Sequence, residues 1–223
     1  MIIFFDIDDT LLNSEFAHKV ALMKIVHDYS LRANPEIIFN EWIKITEHYL
    51  NLFFRNVISQ REQQEMRINE LFRICGKVVT KEETIPIYLK YHQHFIESCH
   101  VFPDTIPLLK KLQGYRMGII TNGPKVDQTK KLIDNELIKY FDPIIISEEV
   151  GHCKPYKEIF EAASRKAGEL LSDCIFIGDS YVNDYLGGKN AGMKVIWLNR
   201  KRSQTHSCIE TIHSLSELIY LFQ

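Results

Sequence analysis

An apolar run without alternating polar positions opens the chain, from Ile2 to Ile7, and ends among acids. A strand covered on both faces reads this way, because a parallel sheet packed between helices has no wet side. Four similar runs follow only after residue 100: Arg116 to Thr121, Pro143 to Ser147, Cys174 to Gly178 and Lys194 to Leu198. Helical patterns separate them, at Thr105 to Leu112, Val126 to Leu132, Lys157 to Ala167 and Tyr181 to Ala191, with Gly114, Gly168 and Gly192 as stops. Strands alternating with helices of this length predict a doubly wound parallel α/β sheet with right-handed crossovers.

The stretch from about Ser14 to His100 breaks this rhythm. It holds no strand-like run and reads as four helices, roughly 15–31, 36–58, 61–75 and 81–98, punctuated by Asn34-Pro35 and Gly76. A block this long is no crossover; it predicts an inserted helical domain over the strand ends, spanning 14–100, with the core domain formed by 1–13 and 101–223. Phe39, Trp42, Tyr49, Phe53 and Phe54 fall largely at helical spacing and are expected to form the insert's own core.

Composition narrows the function classes. With 27 basic residues against 29 acidic and a net charge of -2, no global field draws the protein to a nucleic acid polymer or an anionic membrane. No run reaches the roughly eighteen apolar residues of a membrane span. The opening apolar residues meet Asp6 at once and lack a basic lead, so a cytoplasmic location is expected. Five cysteines, at 75, 99, 153, 174 and 208, have no Cys-x-x-Cys spacing, which argues against a disulfide framework or a zinc site. Most of them are expected to be small core residues.

Candidate chemistry collects at the strand ends. Asp6, Asp8 and Asp9, with Thr10, sit where the first strand runs out, the region where open α/β sheets bind ligands. Carboxylates packed so closely repel one another unless a cation is present, and Mg2+ prefers oxygen ligands of this kind. Asp179 and Asp184 repeat the acidic arrangement at another strand end, while Thr121 and Asn122 offer a hydroxyl and an amide able to donate to phosphate. Lys154 stands just before a proline-started helix, within His152-Cys153-Lys154-Pro155. Each segment alone reads as an ordinary turn, cap or solvated lysine; all four together are hard to explain structurally.

In these four segments the sequence resembles the haloacid dehalogenase-like hydrolase superfamily, whose motifs match in order: Asp6, Asp8 and Thr10 in the first, Thr121 in the second, then Lys154, then Asp179 with Asp184. The resemblance covers essentially the whole chain. It implies a Rossmann-like parallel core of five strands in the order 5-4-1-2-3, with a helical cap inserted after the first strand. Thr121-Asn122-Gly123, Ile146 to Gly151, and Asp184 with Gly187 to Gly192 look most like the pyrimidine 5′-nucleotidase branch, and also like the N-acylneuraminate 9-phosphatase branch.

The family resemblance further implies a Mg2+-dependent phosphomonoesterase acting on a small phosphorylated metabolite, with a nucleoside 5′-monophosphate among the candidates. Asp6 would be the nucleophile that forms an aspartyl-phosphate, Asp8 the general acid and base, and Lys154 the neutralising cation. The metal ligands carried over are the Asp6 carboxylate, the Asp8 main-chain carbonyl and Asp179, with Asp184 and Thr10 in support; Thr121 and Asn122 would hold the phosphoryl group. Asp9 occupies a variable motif position and is assigned no catalytic role. The rival readings are a sugar-phosphate phosphatase or a phosphomutase, then a 2-haloacid dehalogenase, which generally lacks the second aspartate, and a non-catalytic phospho-ligand-binding protein. Specificity is expected from the cap, where His18, Lys19 and Lys24 are candidates. Oligomeric state, monomer or homodimer, is left open.

Overall fold

The computed structural model describes residues 1–55, 57–202 and 210–221, and of Phe54 only the main chain; Cys208 lies outside the described residues. The chain divides into two compact units, Met1–Asn13 with His100–Gln223, and Ser14–Cys99.

The first unit is a parallel sheet between helices. Its strands are β1 (Ile2–Phe5), β2 (Arg116–Thr121), β3 (Ile144–Ile146), β4 (Cys174–Gly178), β5 (Lys194–Leu198) and β6 (Thr211–Ile212). They lie in the order β3-β2-β1-β4-β5-β6 and every pairing is parallel. Among the described residues the sheet therefore has six strands rather than the expected five. The sixth adds to the β5 edge through Trp197 beside Thr211 and Leu198 beside Ile212. Two residues with one buried apolar side chain are too short to show in a hydrophobic pattern, so only the pairing reveals this strand.

Burial explains the unalternating first run. Ile2 and Phe4 pack with Phe176, Val195, Phe160 and Ala163 in one core cluster, while Ile3 and Phe5, on the other face, are equally inaccessible. The central strand thus has helices or loops on both sides, as a parallel strand must.

The helices, in chain order, are α1 (Ser14–Asp28), α2 (Pro35–Phe54), α3 (Gln60–Ile74), α4 (Lys81–Ser98), α5 (Thr105–Lys111), α6 (Lys125–Asp134), α7 (Ser147–Val150), α8 (Lys157–Ala167) and α9 (Gly187–Ala191). Two departures from the sequence pattern bear on the site. Ser147 does not end a strand but opens α7. The stretch expected as one helix from Tyr181 is a π-helical turn, Tyr181–Leu186, followed by α9. Ser180 caps that turn, its hydroxyl accepting from the Asn183 N–H at 3.2 Å. A Cβ on Gly188 would come within 2.8 Å of Val195, so the glycine lets α9 lie directly on β5.

The second unit contains α1 to α4. Their starts are chemically marked: Asn34 accepts from the N–H groups of Glu36 and Ile37, and Ser59 with Glu62 and Thr80 with Glu83 form capping boxes. The expected aromatic core is narrower than its spacing suggests. Trp42 is fully buried, but Phe39, Tyr49 and Phe53 are only partly covered, and the Phe54 side chain lies outside the described residues. Small and aliphatic residues, including Ala17, Ala21, Leu22 and Leu71, fill the interior beside Trp42 and Tyr91. No described helix is long and apolar enough to cross a membrane.

Candidate active site

Parallel pairing brings the strand ends to one edge of the sheet. Phe5 sits between Ile119 of β2 and Ile177 of β4, and the Asp6 N–H continues the ladder to the Ile177 carbonyl at 2.9 Å. Asp6 is thereby held by the last rung of β1 and is almost fully buried, at 6% exposed. Asp179 follows β4 directly. Its main-chain carbonyl accepts from the Trp197 indole at 2.8 Å, and its carboxylate receives the Thr10 hydroxyl at 3.5 Å. Asp184 points back from the π-helical turn, accepting the Ser180 N–H at 2.9 Å. Gly178 makes this approach possible, since a Cβ there would lie 2.4 Å from the Asp184 carboxyl carbon.

Asp6, Asp179 and Asp184 each offer a carboxylate oxygen within 4.8 Å of the others. Lys154, only 4% exposed, places its ammonium 2.6 Å from Asp6 and 2.7 Å from Asp184. Burial pushes the Asp6 pKa up to about 7, against the pull of Lys154 and with help from Asp184 and Asp8. Burial and the neighbouring charges of Asp184, Asp6 and Asp9 likewise hold Asp179 well above the carboxylate range. Burial opposes the charge on Lys154, yet Asp184 and Asp6 more than offset it and the lysine stays protonated.

The phosphate-loop candidates divide in their roles. Thr121 ends β2 buried, and its hydroxyl has no hydrogen-bond partner among the described residues. An unpartnered buried hydroxyl is costly in a native fold unless a ligand takes it up. Asn122 is engaged differently: its side chain accepts from the Lys154 N–H at 2.7 Å and donates to the Lys154 carbonyl at 3.0 Å. It thus fixes the lysine's main chain beside β2.

Asp8, about one third exposed, is gripped from α6 by Lys131 at 2.7 Å and by Gln128 at 3.0 Å. Neither residue stood out in the sequence, although buried polar residues three apart on the apolar face of a short helix are a departure from ordinary patterning. Arg200 was also missed. It forms a two-pronged ion pair with Asp104 and donates to the Thr10 carbonyl at 2.8 Å, bracing the loop that carries Asp8. Nothing local marks it, because the contact spans the chain.

Other candidates have different surroundings. His152 is exposed, and Cys153 is buried with its thiol pKa raised by that burial, so it is not an activated thiolate. Within the helical unit, Lys19 and Lys24 are exposed, and His18 stacks on Phe95 with ring centroids 4.0 Å apart. Asp9 takes a left-handed backbone conformation, φ 56°, at the tight turn after β1.

The acidic cluster suits a hard divalent cation. All its donors are oxygens, and one Mg2+ would offset both the burial and the mutual repulsion that raise the pKa values of Asp6 and Asp179. Of the described residues, the carboxylates of Asp6, Asp179 and Asp184 are the ones grouped closely enough to hold it.

Comparison with known proteins agrees with the geometry. The sequence model of the haloacid dehalogenase-like hydrolases matches residues 3–198. The pyrimidine 5′-nucleotidase YjjG of Escherichia coli is 32% identical over 225 residues, covering 97% of this chain and 95% of that protein. The glyceraldehyde 3-phosphate phosphatase of Methanothermobacter thermautotrophicus is 31% identical over 209 residues, covering 91% and 87%. Among solved structures, the HAD-hydrolase YfnB of Bacillus subtilis, bound to magnesium, superposes with a TM-score of 0.84 at 26% identity, covering 100% of this chain and 98% of that one. The chain belongs to the haloacid dehalogenase-like hydrolases.

Proposed function

We propose that this family member, a phosphate-monoester hydrolase, is magnesium-dependent and works through an aspartyl-phosphate on Asp6, releasing phosphate from a small phosphorylated metabolite. The observation that carries the reading is the buried pairing of Asp6 with Lys154 at 2.6 Å beside the carboxylates of Asp179 and Asp184. A structural ion pair needs one acid; here two acids pair with one lysine and a third stands beside them, which leaves negative charge to be shared with a cation and an incoming phosphoryl group.

In the first half-reaction an Asp6 oxygen bonds to phosphorus as the ester P–O bond breaks, and Asp8 gives a proton to the departing alkoxide. In the second, water attacks the phosphoaspartate and loses its proton to Asp8, which frees inorganic phosphate and restores Asp6. Lys154 balances charge on the phosphoryl oxygens in both steps. The Thr121 hydroxyl donates to one of those oxygens, and Asn122 contributes its main-chain N–H, its side chain being engaged by Lys154. Magnesium, when bound, neutralises further phosphoryl charge and keeps Asp6 ionised.

The substrate is proposed to be a nucleoside 5′-monophosphate or a small sugar phosphate, in line with the activities named for the two relatives. The helical segment 14–100 is proposed to act as the cap that selects it, and the enzyme to work in the cytoplasm. A 2-haloacid dehalogenase would have no alkoxide to protonate and no use for Asp8, whose two-residue grip from α6 favours the phosphatase.

Phosphate release from nucleoside monophosphates and sugar phosphates, with magnesium and with EDTA, tests the proposal alongside Asp6→Asn. The expected result is magnesium-dependent release that the variant abolishes without loss of fold. Turnover like wild type in Asp6→Asn would sink the nucleophile assignment. Release from sugar phosphates alone would keep the mechanism and discard the nucleotide.

A further inference from the structure

We infer that Gln128 and Lys131 of α6 are positioning residues that aim the Asp8 carboxylate, and that Gln128 couples it to the phosphate-binding loop; this rests on the acid-base role proposed for Asp8. The two side chains take one carboxylate oxygen each: Lys131 donates to Oδ1 at 2.7 Å and Gln128 Nε2 to Oδ2 at 3.0 Å. With both oxygens held, the plane of the carboxylate cannot turn without breaking a bond. Gln128 and Lys131 are three residues apart, so they project from the same face of α6, and each is 3% exposed.

The environment makes this an unusual use of a helix face. Taking a lysine ammonium out of water is strongly unfavourable before any pairing is counted. A leucine at residue 131 would satisfy packing without that cost. Asp8, by contrast, is about one third exposed and needs no buried partner to remain soluble in its surroundings. The pair therefore makes sense as a fixture for Asp8.

Gln128 also reaches the other half of the site. Its Nε2 donates to the Asn122 carbonyl at 2.7 Å, and the Asn122 side chain accepts from the Lys154 N–H at 2.7 Å. Lys154 in turn contacts Asp6 at 2.6 Å. One connected set of contacts thus runs Asp8–Gln128–Asn122–Lys154–Asp6. Gly123 leaves room for it: φ there is +138°, and a Cβ would stand 2.7 Å from Gln128 Nε2. The acid-base group, the phosphate loop and the nucleophile's lysine are set in register through α6.

A misaimed general acid has a signature that a general loss of structure does not. An alkoxide leaves slowly unless protonated, whereas p-nitrophenolate leaves without help. In Lys131→Met, kcat/KM for an alkyl ester such as glycerol phosphate should fall about 10²-fold, the scale of lost general acid catalysis. With p-nitrophenyl phosphate, kcat/KM should stay within about twofold while kcat falls, because hydrolysis of the aspartyl-phosphate still needs Asp8 as base. Lys131→Arg should recover part of the alkyl-ester rate.

An equal loss with both leaving groups, or no loss with either, would overturn the positioning role. If Lys131→Met lacks the native circular dichroism spectrum, the same comparison is read from Gln128→Met, which leaves the ion pair in place, and the same outcomes decide. Asp6→Asn run in parallel separates the two levels. Turnover surviving in that variant would remove the underlying mechanism and this inference with it, whereas a uniform loss in Lys131→Met with Asp6 still essential would remove the inference alone.

Discussion

Each of the two units buries a cation, and they do so by opposite means. In the α/β unit Lys154 is enclosed by carboxylates, 2.6 Å from Asp6 and 2.7 Å from Asp184. In the helical unit Arg67, 3% exposed, has no described carboxylate within ion-pair distance. Its guanidinium lies over the rings of Trp42, Tyr88 and Tyr91, at 4.8, 5.4 and 5.8 Å from their centroids, and donates to Thr46 at 3.1 Å and weakly to Gln63 at 3.4 Å. Aromatic faces compensate a charge diffusely and leave nothing reactive behind. Carboxylates compensate it locally and bring groups that can attack, bind metal and exchange protons. The first arrangement is scaffolding for four helices, the second the candidate site.

The comparison breaks most sharply under substitution. Lys154→Ala should lower kcat/KM by about 10²–10³, the loss seen when one preorganised charge donor is removed. Unchanged kcat/KM would place Lys154 outside the chemistry. Arg67→Ala should instead act on stability, by about 2 kcal/mol from lost cation–π contact and a vacated stem, measured by denaturant unfolding. A loss of kcat in Arg67→Ala at undiminished stability would erase the contrast.

The smallest expected effect sharpens the electrostatic side. Asp6 has a folded-state pKa raised from 3.8 to about 7, so its contribution to stability is full below the lower value and is lost as pH rises through the upper one. Asp179 is raised as well and acts in the same direction. Without metal, the contribution of these acids should therefore shrink between pH 4 and pH 7. Magnesium at ten times its Kd should then stabilise the fold by about 1.4 kcal/mol at pH 8, seen as a rise in Tm, and do little at pH 5. An equal rise at both pH values would mean that the cation binds elsewhere.

Much of this architecture was legible because parallel strands announce themselves. Ile2 to Phe5 is apolar at every position since both sheet faces are covered, and Lys157–Ala167 carries its own stop in Gly168. The capped starts of α2, α3 and α4 are local chemistry, readable in Asn34, Ser59 and Thr80. What escaped has no local signature. β6 is two residues long, and the π-helical turn at Tyr181–Leu186 differs from an α-helix by hydrogen-bond register and not by composition. Gln128 and Lys131 looked like ordinary polar helix positions, because only the packing of α6 shows which of its faces is inside.

By itself the sequence determined the parallel α/β class, the helical block after the first strand, and the acids and hydroxyl at strand ends with a lysine ahead of a helix. These follow from short-range physics: hydrophobic period, capping side chains and the residue types that phosphate and a hard cation require. Only the tertiary structure decided that Lys154 lies between Asp6 and Asp184, that Asn122 spends its side chain on the lysine's main chain, and that α6 grips Asp8. Asp6 and Asp8 meet partners more than a hundred positions away, the other contacts span about thirty, and their distances are set by strand order and register, which no local pattern encodes.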